Sequence, residues 1–536
     1  MRVAKPIIFI FAIVTASTAI AQQVPTPGQV KESLKKSLEL KIPPPQIQPE
    51  RQQRPTAVEG KKITVRLIEF FGNTVYDEST LSALVASYLN RPVSLLDIYA
   101  AADAITDYYV KHGYSLASVS VPPQKVTDGI ISFEISEGRI DHIDVEGNKS
   151  YKSDHVRQVL GDMKSGTLYR GDNLADGVHR LNELPGLKAK AIIKPGDKEG
   201  TSDIVIQSTE DRVNGGLSLD DYGRKDIGEF RLSAFAQVNN TLGMDDQLQL
   251  LALRSQEGLL TYYSGGYSAA VNANKTRFGV TFGHATFGVR DLAVNGKYNN
   301  GAVTVEQTLF DTRRSKATVN AGVSRTVANT DLSGLPLSNT LITLFQVGGS
   351  YSHTYDNQAV TQVAANVHTN FQKQDPAALT SGQTVHGNEL FRLEIDAQHF
   401  QPIYERIGLL THIDAVYSPD ALVDTEKFAL GGPQSVRGYQ ASQVRGDRGY
   451  LGSLSLIRPF GIGPVDMVGR VFTDFGTVWN LAPSNNATIA SAGLGFDAQY
   501  RWVSAKLDWS IPIDNNYQTN DAIDYSFIFA MISVAF

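Results

Sequence analysis

The sequence contains no cysteine among its 536 residues. Disulfide bridges, thiolate zinc sites and cysteine nucleophiles are therefore all excluded. An excess of positive charge is also lacking, because 49 Lys and Arg residues stand against 55 Asp and Glu residues, for a formal net charge of −6. This balance gives no sign of a polyanion-binding surface, and we expect no nucleic acid among the partners.

Long apolar runs are scarce as well. The run Ile7–Val14 is short against the roughly 20 apolar residues of a membrane-spanning helix. It follows Arg2 and Lys5 and precedes Ala19-Ile20-Ala21, which has the small residues of a cleavage site. Residues 1–21 are therefore predicted to be a cleaved signal peptide, with a retained membrane anchor as the alternative. An envelope protein without spanning helices is then soluble or a β-barrel.

Familiar catalytic motifs are missing too. The sequence has no Gly-x-Ser-x-Gly, no His-Glu-x-x-His and no Walker phosphate loop. His112, next to Gly113, is interpreted as a residue at a helix end. Glu394 and Asp396 fit the lining of a watery lumen better than a hydrolytic pair. We predict that the protein is not an enzyme and uses neither a cofactor nor a metal.

Proline is concentrated near the N-terminus. Residues 22–62 are rich in Pro, Gln, Lys and Glu, which is typical of a semi-rigid extended linker. Within this segment Val30, Leu34 and Leu38 recur every four residues. Their spacing predicts one short helix over about residues 28–41.

Two compact α/β modules are predicted to follow, at residues 63–138 and 139–210. Each has the order strand, helix, helix, strand, strand, which indicates a repeated supersecondary unit. In the first module Asp77 or Ser79 is predicted to cap the first helix, and Ser94 with Asp97 to open the second as a capping box. The predicted strands are Ile63–Phe71, Leu116–Val121, Ile130–Ser136, Ile140–Val145, Lys188–Ile193 and Asp203–Gln207.

Small sheets of this kind have open edges. An open edge can accept an extended peptide as an added strand, or it can be protected from such pairing by charge. The sequence leaves both possibilities open for these modules.

From residue 211 to the end the hydrophobic pattern has a period of two. In Phe391–Phe400 the apolar residues occupy one face of the strand, and Arg392, Glu394, Asp396 and Gln398 occupy the other. A strand between lipid and a watery lumen needs this division. The same alternation occurs in Val503–Ile511, and we predict a transmembrane antiparallel β-barrel over residues 211–536. A soluble β-sandwich is the rival, but it would contain longer apolar core runs.

Two local motifs lie in the barrel region. The first, Val436-Arg437-Gly438-Tyr439, is followed by Gly446-Asp447-Arg448-Gly449. The second is Phe472-Thr473-Asp474-Phe475-Gly476. Alternation divides this strand into two faces. One face comprises Arg470, Phe472, Asp474 and Gly476, and the other comprises Val471, Thr473, Phe475 and Thr477. If the second face meets lipid, the first points into the lumen.

With these motifs the chain resembles the two-partner secretion transporters of the outer membrane. This family (TpsB, the ShlB/FhaC/HecB type) belongs to the superfamily of the BamA and TamA barrel-assembly factors. The predicted modules resemble the polypeptide-transport-associated (POTRA) domains of the family. The segments that carry this second resemblance are Gly113-Tyr114, Val121-Pro122-Pro123-Gln124, Ile135–Ile140, Leu184-Pro185-Gly186 and Lys194-Pro195-Gly196.

The resemblance implies a site and a mechanism. A long loop of the sixteen-stranded barrel would fold back into the lumen, and its Arg437 would meet Asp474 of the inner wall as a latch. Val436, Gly438 and Tyr439 would form the loop tip, and Phe472 and Gly476 would complete the wall motif. The N-terminal helix would plug the resting pore. Phe536, the C-terminal aromatic residue, would act as an assembly signal.

The partners implied by the resemblance are a large secreted exoprotein, outer-membrane lipid and the barrel assembly machinery. The protein is expected to be a monomer, with its modules in the periplasm, and to export the exoprotein without ATP. A barrel-assembly insertase is the main alternative, followed by a porin or a surface adhesin. The sequence does not distinguish an adhesin, a haemolysin or a contact-dependent toxin as the exported protein.

Overall fold

The structure is a computed structural model that describes residues 62–272, 275–370, 390–481, 483–516 and 526–536. The predicted signal peptide, plug helix and Pro-rich linker lie outside the described residues. The chain forms two compact units, which divide between Asp211 and Arg212. Among the described residues, no helix combines the length and hydrophobicity needed to cross a bilayer.

The first module contains a three-stranded sheet covered by two helices. Its elements are β1 (Ile63–Thr64), β2 (Leu67–Phe71), α1 (Glu78–Val85), a 3-10 turn (Ala86–Tyr88), β3 (Pro92–Val93), α2 (Leu95–Lys111), β4 (Ser118–Ser120) and β5 (Ile130–Ser136). The sheet order is β2-β5-β4, with β2 parallel to β5. The helices bury Leu81, Ile105 and Tyr109 against Phe133.

Helix signals in the sequence are confirmed in this module. Asp77 is the N-cap of α1, where its side chain accepts from the Thr80 N–H. Ser94 and Asp97 form a reciprocal capping box at α2, and His112 is the C-cap residue of that helix. The single strand predicted over Ile63–Phe71 was wrong, because β1 pairs with β3 whereas β2 pairs with β5.

The second module repeats this arrangement. Its elements are β6 (Arg139–Glu146), α3 (Ser153–Val159), α4 (Gly171–Asn182), β7 (Leu187–Pro195) and β8 (Thr201–Glu210). The sheet order is β6-β8-β7, with β6 parallel to β8. The two modules are in contact, since the Gly171 N–H donates to the Gly113 carbonyl at 3.0 Å and the Arg170 guanidinium lies over the Tyr114 ring.

The turn after the first sheet strand is the same in both modules. Gly72-Asn73 and Gly147-Asn148 occupy equivalent positions, and both glycines have positive φ, at 86° and 81°. A Cβ atom at either glycine would lie 2.3 Å from a carbonyl oxygen of the neighbouring strand. Only glycine fits so close to another backbone. Each asparagine side chain then donates to the carbonyl three residues on.

A carboxylate closes each of these turns. Glu137 accepts the N–H groups of Thr74 and Val75 at 2.6 and 2.8 Å. Glu210 accepts three successive N–H groups of the other turn, at 2.7 to 3.1 Å. Burial raises the pKa of both carboxyl groups, but the hydrogen bonds outweigh it and lower the pKa below its ordinary value.

From residue 213 the described residues form a closed barrel of sixteen antiparallel strands, which confirms the predicted fold class and strand number. The first eight barrel strands are β9 (Val213–Asp220), β10 (Arg231–Asn239), β11 (Gln247–Ser255), β12 (Leu260–Ala270), β13 (Thr276–Gly288), β14 (Val294–Asp311), β15 (Ser315–Leu332) and β16 (Leu335–Thr354). The other eight are β17 (Val360–Asn370), β18 (Leu390–Tyr404), β19 (Ile407–Tyr417), β22 (Arg448–Ile462), β23 (Val465–Leu481), β24 (Ser484–Tyr500), β25 (Val503–Asn516) and β26 (Phe527–Ala535). Between β19 and β22 the chain forms a short hairpin of β20 (Phe428–Leu430) and β21 (Val444–Gly446).

Alternation divides the barrel wall into an apolar outside and a polar inside. In β25 Leu507, Trp509 and Ile511 are 41–47% exposed, whereas Asp508 and Ser510 are fully buried. An isolated sheet could not hide these polar groups while exposing large apolar ones to water. A barrel in lipid does so, with the polar side chains turned to the lumen.

The barrel closes between its first and last strands. β26 pairs with β9 from Met531 to Ala535, and Phe536 exchanges two backbone hydrogen bonds with Gly215, at 2.8 and 3.0 Å. The Phe536 side chain is 77% exposed on the outer surface.

Candidate functional site: a loop anchored on the barrel wall

The connection between β19 and β22 is the candidate functional site. It comprises residues 418–447, and we call it the lumenal loop. Its hairpin buries Phe428, Leu430 and Val444 against wall residues that include Leu451 and Val478. Because β19 and β22 are hydrogen-bonded neighbours, the loop leaves and rejoins the wall at adjacent strands.

The structure brings Arg437 of the loop and Asp474 of β23 together. The Arg437 Nε lies 2.7 Å from the Asp474 Oδ2, and the Nη2 lies 2.7 Å from Oδ1. The Arg437 backbone N–H also donates to Oδ2, at 3.1 Å. The Asp474 side chain is fully buried and that of Arg437 is 10% exposed. A planar guanidinium fork fits a carboxylate in this two-point geometry, which a lysine could not reproduce.

Neighbouring wall residues complete the cradle around this ion pair. The Ser453 hydroxyl, directly opposite Asp474 in β22, donates to its Oδ1 at 2.7 Å. The Arg437 guanidinium lies over the Phe472 ring, with its Cζ 3.4 Å from the ring centroid. An aromatic face stabilises a cation most strongly when water is excluded, as it is here. Gly493 leaves room for this ring, since a Cβ there would lie 2.5 Å from the Phe472 Cζ.

The other residues of the predicted loop tip lie at the same place. Val436 and Tyr439 are buried, and the Tyr439 hydroxyl donates to the Ala490 carbonyl of β24 at 2.8 Å. Gly438 has a φ of 98°, and a Cβ there would lie 3.2 Å from the Ser491 Cβ. Gly476 is also packed closely, because a Cβ would lie 2.7 Å from the Leu430 Cδ1 of the loop. The residues predicted for the loop tip and for the lumenal face of the wall motif therefore lie at one contact.

The predicted orientation of β23 holds for most of the strand. Phe472 and Asp474 are buried, while Val471 and Phe475 are 55% and 42% exposed. Thr477, which was expected on the lipid face, is 7% exposed. Its hydroxyl is covered because it contacts the Thr488 hydroxyl of β24 at 3.0 Å.

A second charged network lies on the lumenal face of the same strand. Arg470 donates in a two-point geometry to Asp497 of β24, and its Nε lies 2.8 Å from Asp508 of β25. Gly495 provides the space, since a Cβ there would lie 2.2 Å from the Arg470 Nε. Sequence reasoning placed Arg470 and Asp508 on polar faces but did not pair them. Their contact depends on the register of three strands, which alternation within one strand does not specify.

One group of potential metal ligands occurs among the described residues. The ligand atoms of Asp141, His142 and Asp197 in the second module lie within 4.8 Å of one another. The Asp141 carboxylate already accepts the Asp197 N–H at 3.0 Å and the Thr201 hydroxyl at 3.3 Å. These hydrogen bonds stabilise a turn and explain why the three residues lie close together. We therefore assign no metal to the cluster.

Fold and site together define an outer-membrane β-barrel transporter with periplasmic POTRA modules and a loop anchored on its inner wall. Residues 200–498, more than half of the chain, match the family model of the haemolysin secretion/activation protein ShlB/FhaC/HecB. Residues 63–138 match the POTRA domain of ShlB type. The chain belongs to this haemolysin secretion/activation family, and the family consists of transporters.

Individual relatives agree with this assignment. The outer membrane transporter CdiB of Escherichia coli is 24% identical over 533 residues, covering 94% of this chain and 87% of that protein. The heme/hemopexin transporter protein HuxB of Haemophilus influenzae (strain 86-028NP) is 23% identical over 467 residues, covering 82% of each chain. The solved structure of CdiB from Escherichia coli has the same fold, with a TM-score of 0.65 at 22% identity and 98% coverage of both chains. These relatives favour the transporter over the insertase alternative.

Proposed function

We propose that the protein exports one large exoprotein from the periplasm to the cell surface, with the lumenal loop latched across the resting pore. The observation that carries this proposal is the buried ion pair between Arg437 and Asp474. An ion pair that holds the loop on the wall inside a narrow lumen keeps the pore closed. Breaking this ion pair releases the loop and opens the pore. The POTRA modules argue against a porin.

The latch is strong enough to hold the loop yet reversible. Breaking a buried ion pair by removing one partner typically costs about 3–5 kcal/mol, because the remaining charge is left unpaired. An exoprotein entering the lumen could offset that cost, since it offers many backbone groups in place of one ion pair. No covalent step or nucleotide is required, and folding of the exoprotein outside the cell would supply direction.

The POTRA modules are proposed to capture the unfolded exoprotein by strand addition at a sheet edge. Support comes from β2, an edge strand whose Leu67 and Phe71 side chains are 47% and 55% exposed. Exposed apolar residues beside unpaired backbone groups favour pairing with an extended peptide. The exoprotein would be an adhesin, a haemolysin or a contact-dependent toxin.

The protein is further proposed to act as a monomer in outer-membrane lipid. It has no enzymatic activity and binds no nucleic acid. The barrel assembly machinery inserts it, with Phe536 as the signal.

The helix predicted over residues 28–41 plugs the resting pore together with the lumenal loop. Deleting residues 28–41 should raise single-channel conductance in planar bilayers, and unchanged conductance would remove the plug from the proposal.

Secretion in a reconstituted pair tests the central claim. The protein is expressed together with a large candidate exoprotein, and the amount of exoprotein in the culture medium is measured. Export should require this chain and should be lost when residues 63–210 are deleted. If the exoprotein stays in the periplasm while assembly of an unrelated outer-membrane barrel improves, the protein is an insertase.

A further inference from the structure

Asp447 is a buried carboxylate with no part in the ion pair described above. It is the last residue of the lumenal loop before β22, and its side chain is fully buried. Its Oδ1 accepts the Leu422 N–H at 2.8 Å, and its Oδ2 accepts the Leu481 N–H at 2.7 Å. The Asp447 N–H donates to the Trp479 carbonyl at 2.8 Å. One residue thus joins the start of the loop, its end and the end of β23.

Further polar contacts surround this carboxylate. The Lys427 Nζ lies 3.4 Å from the Asp447 Oδ1 and donates to the Asn480 side chain of β23 at 2.6 Å. The Asn480 amide in turn donates to the Arg445 carbonyl at 3.0 Å, and Arg445 forms an ion pair with Asp424. We call residues 418–430 and 444–447, held by these contacts, the loop base.

The part of the loop between the two halves of the base is attached differently. Residues 431–443, the loop tip, are held on the wall by Arg437 and Tyr439, and the Arg224 guanidinium, between β9 and β10, donates to the Ala441 carbonyl at 2.8 Å. Backbone angles change sharply where the tip meets the base. Gly431 and Gly432 have φ values of 108° and 101° directly after β20, and Ser442 has a φ of 54° two residues before β21. Glycine tolerates such angles and a wide range of others. The backbone can therefore rotate at Gly431 and Gly432, where the base meets the tip.

We propose that Asp447 is a positioning residue that keeps the loop base docked on β23 while only the loop tip leaves the wall when the pore opens. The inference rests on the proposed export function. The base is tied to β23 through the backbone N–H of Leu481 and through its packed hairpin. The tip is tied by the Arg437–Asp474 ion pair and by hydrogen bonds at Tyr439 and Ala441, and it joins the base through Gly431 and Gly432. These attachments divide the loop into a fixed part and a moving part. Because the base stays in place, Arg437 returns to Asp474 after each passage.

Engineered cysteine pairs can separate the two parts, and the absence of native cysteine makes each cross-link unambiguous. Tyr439→Cys with Ala490→Cys places one thiol on the tip and one on β24, at two residues in contact. Lys427→Cys with Asn480→Cys places one thiol on the base and one on β23, again at two residues in contact. A short thiol-specific cross-linker that reduction cleaves links each pair. Each cross-linked protein is compared with the same protein after reduction, so that the substitutions themselves cancel.

The tip cross-link should cut secretion of the exoprotein at least tenfold, with recovery on reduction. The base cross-link should leave secretion within twofold of the reduced protein. Equal loss from both cross-links, or unimpaired secretion with the tip cross-linked, would overturn the division into base and tip. If no exoprotein is secreted even by the unmodified protein, the proposed function fails.

Channel conductance tests Asp447 without any exoprotein. Asp447→Asn places an amide N–H₂ against one of the two N–H donors, so the base loosens while Arg437 and Asp474 are unchanged. Single-channel conductance in planar bilayers should rise several-fold, with normal mobility of the folded barrel on unheated gels. Asp466→Asn, an exposed change in the β22–β23 hairpin, is the control. Conductance equal to this control would refute the positioning role, and so would loss of the folded barrel, which would make Asp447 a folding residue.

Discussion

Replacing Arg437 by alanine should release the lumenal loop without unfolding the barrel. The substitution removes both side-chain hydrogen bonds to Asp474 and the cation over the Phe472 ring. Asp474 would keep the Ser453 hydroxyl and the backbone N–H of residue 437 as donors but would lose its counter-charge. The sixteen strands do not depend on this pair, because their backbone hydrogen bonds form independently of it.

The magnitude follows from the burial of the pair. Asp474 is fully buried and Arg437 is nearly so, so the cost of an unpaired charge applies with little screening by water. A loss of about 3–5 kcal/mol corresponds to a shift of roughly two to four orders of magnitude in the equilibrium between the latched and released loop. Lysine at this position should restore only part of the effect, because it cannot make the two-point contact.

A double-mutant cycle on channel conductance measures this coupling. Arg437→Ala and Asp474→Ala should each raise conductance and cut secretion, and the double variant should do no more than either single variant. Arg458→Ala, an exposed change on β22, is the matched control and should have no effect. Additive effects of the two substitutions would refute the latch, and so would normal secretion by Arg437→Ala in a correctly inserted barrel.

Four further results are expected. Glu137→Gln should destabilise the first module by about 1–3 kcal/mol, measured by proteolysis of the full-length protein, because it weakens acceptors of buried N–H groups. Folding lowers the pKa of the Glu137 and Glu210 carboxyl groups. Their stabilising effect is therefore present above the unfolded pKa and is lost as the pH falls through the folded pKa. Resistance of the modules to proteolysis that is the same at pH 7 and pH 3 would contradict this. Gly438→Ala should weaken the latch and raise conductance, since its φ of 98° strains any residue with a Cβ. Deleting Phe536 should lower the amount of inserted barrel on unheated gels while total protein is unchanged, and full insertion would remove its role as a signal.

Local patterns in the sequence predicted much of this fold. The capping box at Ser94 and the turn glycine at position 113 depend only on residues close in the chain, and so does the alternation in Val503–Ile511. Such features are decided by backbone geometry and by the side on which each residue must meet water or lipid. The meeting of Arg437 and Asp474 was expected from resemblance to a family, because 36 residues of intervening chain carry no local signal of it.

Contacts between distant segments were decided only by the tertiary structure. Strand register across β23, β24 and β25 pairs Arg470 with Asp497 and Asp508, and no single strand contains that information. The same holds for Glu137, which closes a turn more than 60 residues earlier, and for Asp447, which binds the N–H groups of two separate segments. In sequence these carboxylates look like any others, since burial and hydrogen-bond donors come from parts of the chain that folding brings together. The sequence by itself therefore determined the class of protein and the division of its wall into lipid and lumen faces, while the tertiary structure decided which charges hold the loop in the lumen.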